Sequence, residues 1–463
     1  MRFIADKQTR SDLNILGKYK SSSIFKLFSH TKSIGAEKLL ENIFHNPLTD
    51  VKEINERRNT IKAFMSEKLD FPFTQDDLDR VETYLSDAHS ISPTRIYLNL
   101  YTLKGRQLML ADRALEDKKK NILHIVSFLQ QMKPLIDKIA KYDNLTPTLV
   151  EMIKSAKVVT NSSDISTFLA NNRYSDLIKN IEDEVYIHQE ISKMKLLDLG
   201  RIDYFLRSKY KTQLDDLLQT CYLVDLYSTV ANIATERKFT FANAFVSEKK
   251  GVFFDAKGLY HPQVKNAVAN DVYIGEDANV MFLTGANMAG KSTFMKSVGI
   301  AVYLAHLGFP IAAESMNFSV LDGICTSINV HDNLNSGYSH YYAEVKRVKD
   351  VSDMISQGKK LMVIFDELFK GTNVKDAHEA TREVTYALAQ YPSCMYILST
   401  HIVEAAADLE PLCSNLNLVY LPTIMQGNIP TYTYKLEKGI SADRHGMMIV
   451  TNEKIVEIIS GSI

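Results

Sequence analysis

The sequence contains little cysteine, and what it has is scattered. Cys221, Cys325, Cys394 and Cys413 are the only cysteines in 463 residues, and no two of them form a C-x-x-C pair. This distribution indicates neither a zinc site nor a disulfide framework. Dispersed, unpaired cysteines are typical of proteins from the reducing cytosol.

A secretory leader and a membrane-spanning run are also absent from the pattern. The first 17 residues have no continuous apolar core and include acidic side chains, so we do not expect a secretory signal there. The longest apolar run, 298–313, is interrupted by His306, Gly308 and Pro310 and is shorter than the roughly 18–20 residues that span a bilayer. We therefore expect a cytoplasmic protein with no membrane partner.

The chain has almost no net charge. It carries 54 Lys and Arg against 55 Asp and Glu, a formal charge of −1 at pH 7. This balance excludes a protein that is basic throughout, so any surface for nucleic acid must be local. The apolar fraction of 45% is typical of soluble globular proteins, and 463 residues suffice for about two to four domains.

The periodicity of apolar residues changes once along the chain. From about residue 20 to 240 the pattern is almost continuously helical, with few prolines. Near Phe239-Thr240 short strand-like runs begin, and from there to about Val450 strands alternate with helices. Such alternation predicts a mostly parallel sheet with helices on both faces. We therefore predict a helical half followed by an α/β half.

Two features of the helical half invite a functional interpretation, and both have a simpler one. Leu214, Leu217, Cys221 and Val224 repeat at three- and four-residue spacing. This stripe favours a contact between helices over a cofactor-binding surface. The basic run 118–120 lies on a helix that also carries acids, so we interpret it as a solvated face and not as a phosphate contact.

The strongest functional signal lies in residues 285–293, GANMAGKST, which satisfy the pattern G-x-x-x-x-G-K-[ST]. An apolar run at 280–284 precedes them and a helical run follows, which is the strand–loop–helix context of a phosphate-binding loop. In such a loop backbone N–H groups hold phosphate oxygens, Lys291 reaches the β- and γ-phosphates, and the Ser292 hydroxyl binds Mg²⁺. A chance glycine-rich turn is the alternative. The residues predicted to bind ATP are Gly285, Ala286, Asn287, Met288, Ala289, Gly290, Lys291, Ser292 and Thr293.

Two later predicted strands are followed by polar residues of the types that bind Mg²⁺, water or phosphate in nucleotide sites. The apolar run 361–365 ends in Asp366 and Glu367, a Walker B arrangement in which Asp366 contacts Mg²⁺ and Glu367 polarises the attacking water. The run 395–398 is followed by Ser399-Thr400-His401. We predict that His401 senses the γ-phosphate or orients water; capping of the next helix is the alternative.

A further segment, 332–344, places Ser336 and Gly337 just before a helical run. This gives a second helix N-terminus that can bind an anion. The first phosphate site does not need it, which suggests a nucleotide site completed by another subunit. We therefore predict that Ser336, Gly337 and Ser339 contact the nucleotide of a partner copy, in a dimer that forms when ATP is bound.

Together these motifs resemble the MutS family of DNA mismatch-repair ATPases, which are ABC-type P-loop enzymes. The family's loop reads G-P-N-M-G-G-K-S-T. The present loop keeps Asn287 and Met288 but has Ala286 and Ala289 where the family has Pro and Gly. Because alanine at a helix N-terminus keeps its N–H group, we expect these substitutions to permit nucleotide binding.

The resemblance extends over nearly the whole chain. The family's D-x-L-x-S-G-x-S-x-F-x-x-E is similar to 332–344 with Tyr341 at the Phe, and its D-E-x-x-x-G-T and A-T-H are similar to 366–372 and 399–401. Residues 31–57 resemble the entry to the family's core domain. We expect no counterpart here of the family's mismatch-recognition, connector, helix-turn-helix and nuclease domains.

The resemblance implies a multidomain protein of α and α/β class. We expect a helical core and lever domain over 1–240 and an ABC-type P-loop NTPase domain with a mostly parallel sheet over 241–463. The expected activity is Mg²⁺-dependent ATP hydrolysis that switches the lever arms. The expected catalytic residues are Glu367 as general base, His401 as sensor of the γ-phosphate, and Lys291. The expected partners are mismatched or branched DNA and a second copy, which forms a homodimer with composite ATP sites.

One alternative of a different class stays open. The near-neutral charge and the short helical half leave room for an ATP-driven clamp or assembly factor that acts on a protein or a ribonucleoprotein. Such a protein would have no intrinsic DNA specificity. A steep salt dependence of DNA affinity distinguishes the two, because phosphate contacts release counterions.

Overall fold

The structure, a computed structural model, describes residues 2–17, 22–67, 69, 71–86, 92–110, 112–246, 251–286, 288–328, 340–426, 429–441 and 458–459. The chain forms two compact units. We call Met1–Ser29, Glu41–Arg58 and Ile233–Ile463 the sheet unit, and His30–Leu40 and Asn59–Asn232 the helical unit. These units alternate along the chain, whereas the predicted domains are consecutive; the domain boundary at residue 240 stays a prediction.

The α-helices are numbered in chain order. They are α1 (Lys7–Asp12), α2 (Ile24–Phe28), α3 (Ile34–His45), α4 (Val51–Glu67), α5 (Gln75–Ser86), α6 (Pro93–Leu110), α7 (Ala114–Ile139), α8 (Pro147–Thr160), α9 (Ser163–Leu169), α10 (Asn172–Lys179), α11 (Glu184–Glu190), α12 (Leu196–Tyr204), α13 (Lys211–Arg237), α14 (Lys291–His306), α15 (His340–Ser356), α16 (Val374–Ala389) and α17 (Val403–Leu409). Within the described ranges, none is both long and apolar enough to cross a bilayer.

The strands begin at Thr240, where the sequence pattern changes. They are β1 (Thr240–Phe241), β2 (Asn243–Phe245), β3 (Phe254–Leu259), β4 (Asn270–Ile274), β5 (Val280–Gly285), β6 (Pro310–Ile311), β7 (Ser315–Ser319), β8 (Gly323–Ser327), β9 (Leu361–Phe365), β10 (Met395–Ser399), β11 (Leu416–Leu421), β12 (Thr423–Gln426), β13 (Ile429–Tyr432) and β14 (Glu437–Lys438).

The core of the helical unit confirms the predicted contact between helices. Helix α13 has no proline or glycine in its 27 residues, so nothing in it interrupts the backbone hydrogen bonds. Leu214, Leu217, Cys221 and Val224 are all fully buried. The Cys221 sulfur lies 3.4 Å from the sulfur of Met132 in α7. Each buried leucine contributes roughly 1.5–3 kcal/mol to stability.

The interpretation of the lysine run 118–120 as a solvated face is wrong for two of its members. The Lys119 ammonium is buried and donates to the carbonyl oxygen of Ile191 at 2.9 Å. The Lys118 ammonium forms an ion pair with the fully buried carboxylate of Asp203 at 2.8 Å. These partners come from segments more than 70 residues away along the chain, so the local run of charges gave no sign of them.

The prediction of a mostly parallel sheet is confirmed in the sheet unit. Its main sheet has the strand order β14-β11-β5-β10-β9-β8, and every adjacent pair is parallel except β11 with β14. Every residue of β8, β9 and β10 is buried. Continuous apolar strands of this kind belong in a parallel sheet that is covered on both faces. Helix α14 is itself buried along nearly its whole length.

A second sheet of four strands, in the order β2-β7-β3-β4, lies in the same unit. Near its strand β7, the last residue of α14, His306, is fully buried. The ring donates from Nδ1 to the carbonyl oxygen of Leu48 at 2.8 Å, and its Nε2 accepts the N–H of Leu321 at 3.4 Å. Because one nitrogen donates and the other accepts, the imidazole is neutral. Burial lowers the pKa of His306 from 6.5 to about 4.

We predict that this histidine makes the stability of the sheet unit depend on pH. Between pH 6.5 and about 4 the unfolded chain binds a proton on His306 that the folded chain excludes, so stability is lost as the pH falls. The expected loss of unfolding free energy is about 3 kcal/mol. Urea unfolding at several pH values in this window, for the wild type and His306→Gln, measures it. Equal pH dependence in the two proteins would contradict the prediction.

Candidate nucleotide-binding site

The site residues meet where three parallel strands end. Strand β10 lies between β5 and β9; Ser399 pairs with Leu283 in β5, and Leu398 pairs with Phe365 in β9. The carboxyl ends of these strands are therefore level at one edge of the sheet. In parallel α/β sheets, ligands bind in the crevice at this edge. The loop after β5, the acidic pair after β9 and the histidine after β10 thus come together.

The loop after β5 has the backbone conformation that its glycines permit. Gly285 and Gly290 have φ values of +141° and +98°. A Cβ atom at Gly290 would lie 2.9 Å from the Tyr434 ring, so the backbone approaches that ring too closely for a side chain. Met288, with φ of +72°, is exposed at the turn. The predicted ligand Asn287 lies outside the described residues.

Lys291 begins α14 and its side chain folds back over the loop. Its ammonium donates to the carbonyl oxygens of Gly285 at 2.8 Å and Ala286 at 3.2 Å. The residue is only 6% exposed, and burial lowers the pKa of its ammonium group, while the carboxylates of Asp366 and Glu367 oppose that shift. A buried ammonium group that donates to neutral carbonyl oxygens is suited to bind a phosphate anion.

The Asp366 carboxylate is held by two serine hydroxyls from different motifs. Ser292 Oγ donates to Asp366 Oδ2 at 2.5 Å, and Ser399 Oγ donates to Asp366 Oδ1. The predicted metal ligands Ser292 and Asp366 are therefore in direct contact. A hydroxyl oxygen beside a carboxylate is the type of hard-oxygen ligand set that Mg²⁺ prefers, so the residues present fit that ion.

Ser399 is a site residue whose role the sequence did not reveal. Besides contacting Asp366, its hydroxyl oxygen accepts the backbone N–H of Glu367 at 3.1 Å. One side chain thereby fixes both members of the acidic pair. The signal in the sequence is a serine that directly follows an apolar strand, a position too common to indicate a role by itself.

Glu367 and His401 contact each other directly. His401 Nε2 lies 2.5 Å from Glu367 Oε1, and the Lys370 ammonium lies 3.1 Å from Glu367 Oε2. The hydrogen bond from His401 is the largest cause that lowers the pKa of Glu367, to about 2, although partial burial acts in the opposite direction. Glu367 also has a positive φ of +54°, an uncommon backbone conformation for a non-glycine residue. The carboxylate is thus ionised and fixed in orientation.

A cavity of about 330 Å³ adjoins the loop, and no sequence motif predicts it. Gly290, Thr293, Phe294 and Tyr434 are among the residues that line it. The segment that carries Tyr434 is held by Asn270, whose Nδ2 donates to the Tyr434 carbonyl oxygen at 3.0 Å. A cavity with aromatic walls beside a phosphate-binding loop can accept the flat base of a nucleotide.

The residues predicted to contact a partner's nucleotide, Ser336, Gly337 and Ser339, lie outside the described residues. Of the same segment, Tyr341 and Glu344 are described, in α15. The Tyr341 ring lies 6.0 Å from that of Phe369, and the Glu344 side chain is buried. The start of α15 therefore packs close to the turn that follows the acidic pair.

Comparison with known proteins bears on this site. A family model described as MutS domain V matches residues 281–460, which contain Lys291, Asp366, Glu367 and His401. The DNA mismatch repair protein MutS of Thermosipho melanesiensis is 22% identical over 524 residues, which cover 96% of this chain and 62% of that protein.

Two other relatives are similar over different lengths. The DNA mismatch repair protein MSH7 of Arabidopsis thaliana is 22% identical over 519 residues, covering 99% of this chain and 44% of that protein. MutS of Lactococcus lactis is 29% identical over 182 residues, covering 39% of this chain and 21% of that protein. The chain thus spans 62% or less of the length of each of these relatives.

We predict that Ser399→Ala lowers the rate of ATP turnover about tenfold or more and leaves metal-free nucleotide binding intact. The variant removes a hydrogen bond to an ionised carboxylate, which is typically worth about 1.5–3 kcal/mol, and about 1.4 kcal/mol corresponds to a tenfold change in rate. Phosphate release and binding of a fluorescent ATP analogue in EDTA measure the two effects. Ser352→Ala is the matched control, since Ser352 is an exposed residue of α15 whose hydroxyl donates to the Val348 carbonyl oxygen in the same helix. Normal turnover in Ser399→Ala would remove this serine from the site.

Proposed function

Because the chain belongs to the MutS family, we propose that it is an ATP-dependent DNA-binding ATPase that acts in mismatch repair or on mismatched or branched DNA. One observation carries the ATPase part of the proposal. Lys291, Ser292, Asp366 and Glu367 come from two separate stretches of chain and converge at one edge of a parallel sheet. We further propose that this sheet belongs to a P-loop NTPase domain of ABC type.

In the proposed site, each side chain has a separate task. The loop amides between Gly285 and Thr293 bind the phosphates, and Lys291 exchanges its loop carbonyl partners for phosphate oxygens. Ser292 and Asp366 would hold Mg²⁺, which when bound would neutralise charge on the phosphates. Binding of the base in the cavity beside Tyr434 orients the nucleotide along the loop.

We propose that Glu367 acts by orienting the attacking water. A carboxylate with a pKa of about 2 accepts a hydrogen bond from water but is a weak base at neutral pH. Phosphoryl transfer depends mainly on positioning and electrostatic stabilisation, so a fixed, ionised acceptor suits the reaction. His401 then has two tasks: it holds Glu367 in place and lies where it can sense the γ-phosphate.

The remaining parts of the proposal concern the wider assembly. We propose that hydrolysis switches lever arms built from the helical domain, and that two copies form composite ATP sites. Ser336, Gly337 and Ser339 would complete the partner's site. The relatives are named as DNA mismatch repair proteins, which favours DNA over the alternative of a clamp or assembly factor for a protein or ribonucleoprotein.

Glu367→Gln is the first test of the site. We predict that this variant binds ATP with near wild-type affinity and loses turnover by roughly a hundredfold or more, because a neutral amide is a poorer hydrogen-bond acceptor for the attacking water. Fluorescent nucleotide binding and phosphate release measure both properties. Glu383→Gln is the matched control, since Glu383 is an exposed glutamate paired with Arg382 on α16.

Lys291→Ala supplies the opposite reference in the same assays. Removal of the ammonium is expected to abolish nucleotide binding and therefore turnover. Unchanged turnover in Glu367→Gln would remove that residue from its role. Normal binding and hydrolysis by Lys291→Ala would contradict the whole site assignment.

DNA binding is tested with the same protein. We predict that ATP changes its affinity for mismatched duplex or four-way junction relative to perfect duplex, measured by fluorescence anisotropy with Glu367→Gln to hold the ATP state. Affinity should fall at least tenfold between about 50 mM and about 200 mM salt, because phosphate contacts release counterions. Salt-insensitive or absent DNA binding would instead support a protein or ribonucleoprotein partner.

A further inference from the structure

Residues near the N-terminus run along the β8 edge of the main sheet. Strand β8 is the last strand of that sheet, with β9 on one side only. Residues 4–12, which we call the N-terminal strap, follow β8 from its first residue to its last.

The strap joins the start of β8 through backbone hydrogen bonds. Ile4 donates its N–H to the carbonyl oxygen of Asp322 at 2.8 Å and accepts the N–H of Ile324 at 2.9 Å. Gly323 lies between them and forms a parallel bridge with Ile4. A Cβ atom at Gly323 would lie 2.4 Å from the Ile4 carbonyl oxygen, so the contact requires glycine. The strap thus pairs with the edge strand directly.

At the other end of β8, the strap holds the backbone on both sides of Ser327. Thr9 Oγ1 accepts the N–H of Thr326 at 3.0 Å. Asp12 Oδ2 accepts the hydroxyl of Thr326 at 2.7 Å and the N–H of Ile328 at 2.9 Å. All of these groups are buried, so water does not compete for the hydrogen bonds.

Arg347 of α15 fastens the same region from the other direction. Its guanidinium donates to the Thr326 carbonyl oxygen at 2.9 Å from Nη2 and at 3.2 Å from Nε. It also donates to Thr9 Oγ1 at 3.1 Å and forms an ion pair with Asp6 of the strap. The N–H, the carbonyl and the hydroxyl of Thr326 therefore all have partners in the strap or in Arg347.

Ser327, which lies between these contacts, is hydrogen-bonded to Asp366, the residue proposed to bind Mg²⁺. Ser327 accepts the backbone N–H of Asp366 on its carbonyl oxygen at 2.9 Å. The Asp366 carboxylate in turn contacts Ser292 and Ser399. Asp12 thus holds the two residues on either side of Ser327, and Ser327 itself holds the backbone N–H of the residue proposed to bind Mg²⁺.

We propose that Thr9 and Asp12 of the N-terminal strap are positioning residues for the Mg²⁺ site, and that they set its metal affinity by fixing the end of β8 against Asp366. This inference rests on the proposed function, since it concerns the metal of the same nucleotide site. Mg²⁺ demands near-ideal octahedral geometry, so a small displacement of one carboxylate ligand weakens its binding. Supporting partners of metal ligands typically change metal affinity by about 10–100-fold.

The test measures metal dependence of nucleotide binding and needs no turnover. A fluorescent ATP analogue is bound to the full chain in EDTA and then titrated with Mg²⁺. For Asp12→Ala and Thr9→Val we expect the half-saturating Mg²⁺ concentration to rise about tenfold with little change in affinity in EDTA. Saturating Mg²⁺ should restore hydrolysis, which loss of folded protein could not explain. Thr9→Val nearly keeps the side-chain shape, so it provides the test if Asp12→Ala fails to fold.

Asp225→Ala is the matched control. Asp225 is another buried aspartate that accepts a hydroxyl and a backbone N–H, both from Ser33, but it lies in the helical unit. Its loss should leave the Mg²⁺ titration unchanged. An unchanged titration in the folded strap variants, or an equal shift in Asp225→Ala, would overturn the inference. If the wild type shows Mg²⁺-dependent nucleotide binding without hydrolysis, the proposed ATPase activity fails while the titration still decides the role of the strap.

Discussion

The candidate site depends on one carboxylate, that of Asp366, which is shared between two serine hydroxyls. Ser292 belongs to the loop that follows β5, and Ser399 ends β10. An aspartate at the end of β9 can contact both only if β10 lies between β5 and β9 with their ends level. The register of three parallel strands is therefore a condition of the chemistry.

The same arrangement prepares the electrostatics of the site before any ligand binds. Lys291 is a buried cation held by carbonyl oxygens, and Glu367 is an anion held by His401 and Lys370. An anion fixed as Glu367 is needs little reorientation when charge develops in the proposed reaction, and such preorganisation is a major source of catalytic power. The uncommon backbone conformation at Glu367 is maintained because Ser399 binds its N–H group. Local strain is thus offset by a contact from the neighbouring strand.

Much of this was predictable from the sequence, for identifiable reasons. Continuous apolar runs at 280–284, 361–365 and 395–398 predicted the buried strands. A short apolar run without proline is typical of a strand that is covered on both faces of a parallel sheet. Parallel strands end at a common edge, so the polar residues after each run were expected together. The direct contact between Ser292 and Asp366 follows from that expectation and the loop pattern.

What could not be predicted depends on partners distant in sequence. The ammonium of Lys119 is buried against a carbonyl 72 residues away, and nothing in a run of three lysines indicates this. The cavity beside Tyr434 forms from segments that no motif connects. The role of Ser399 is not evident from its position, because a serine after a strand commonly forms a turn or caps a helix. Sequence patterns report local periodicity well, whereas side-chain partners depend on tertiary packing.

The N-terminal strap shows how a requirement of the fold and a requirement of the site can have one solution. An edge strand exposes unpaired backbone groups, which proteins cover to prevent association with other chains. Here the N-terminal strap covers β8. Its backbone pairs with β8 at Ile4, and the side chains of Thr9 and Asp12 add buried hydrogen bonds. Backbone pairing alone would protect the edge equally well. The side-chain contacts concentrate on Thr326 and Ile328, the residues on either side of Ser327, which is bonded to Asp366. Protection of the edge does not require that concentration, whereas a fixed position for the carboxylate proposed to bind Mg²⁺ does.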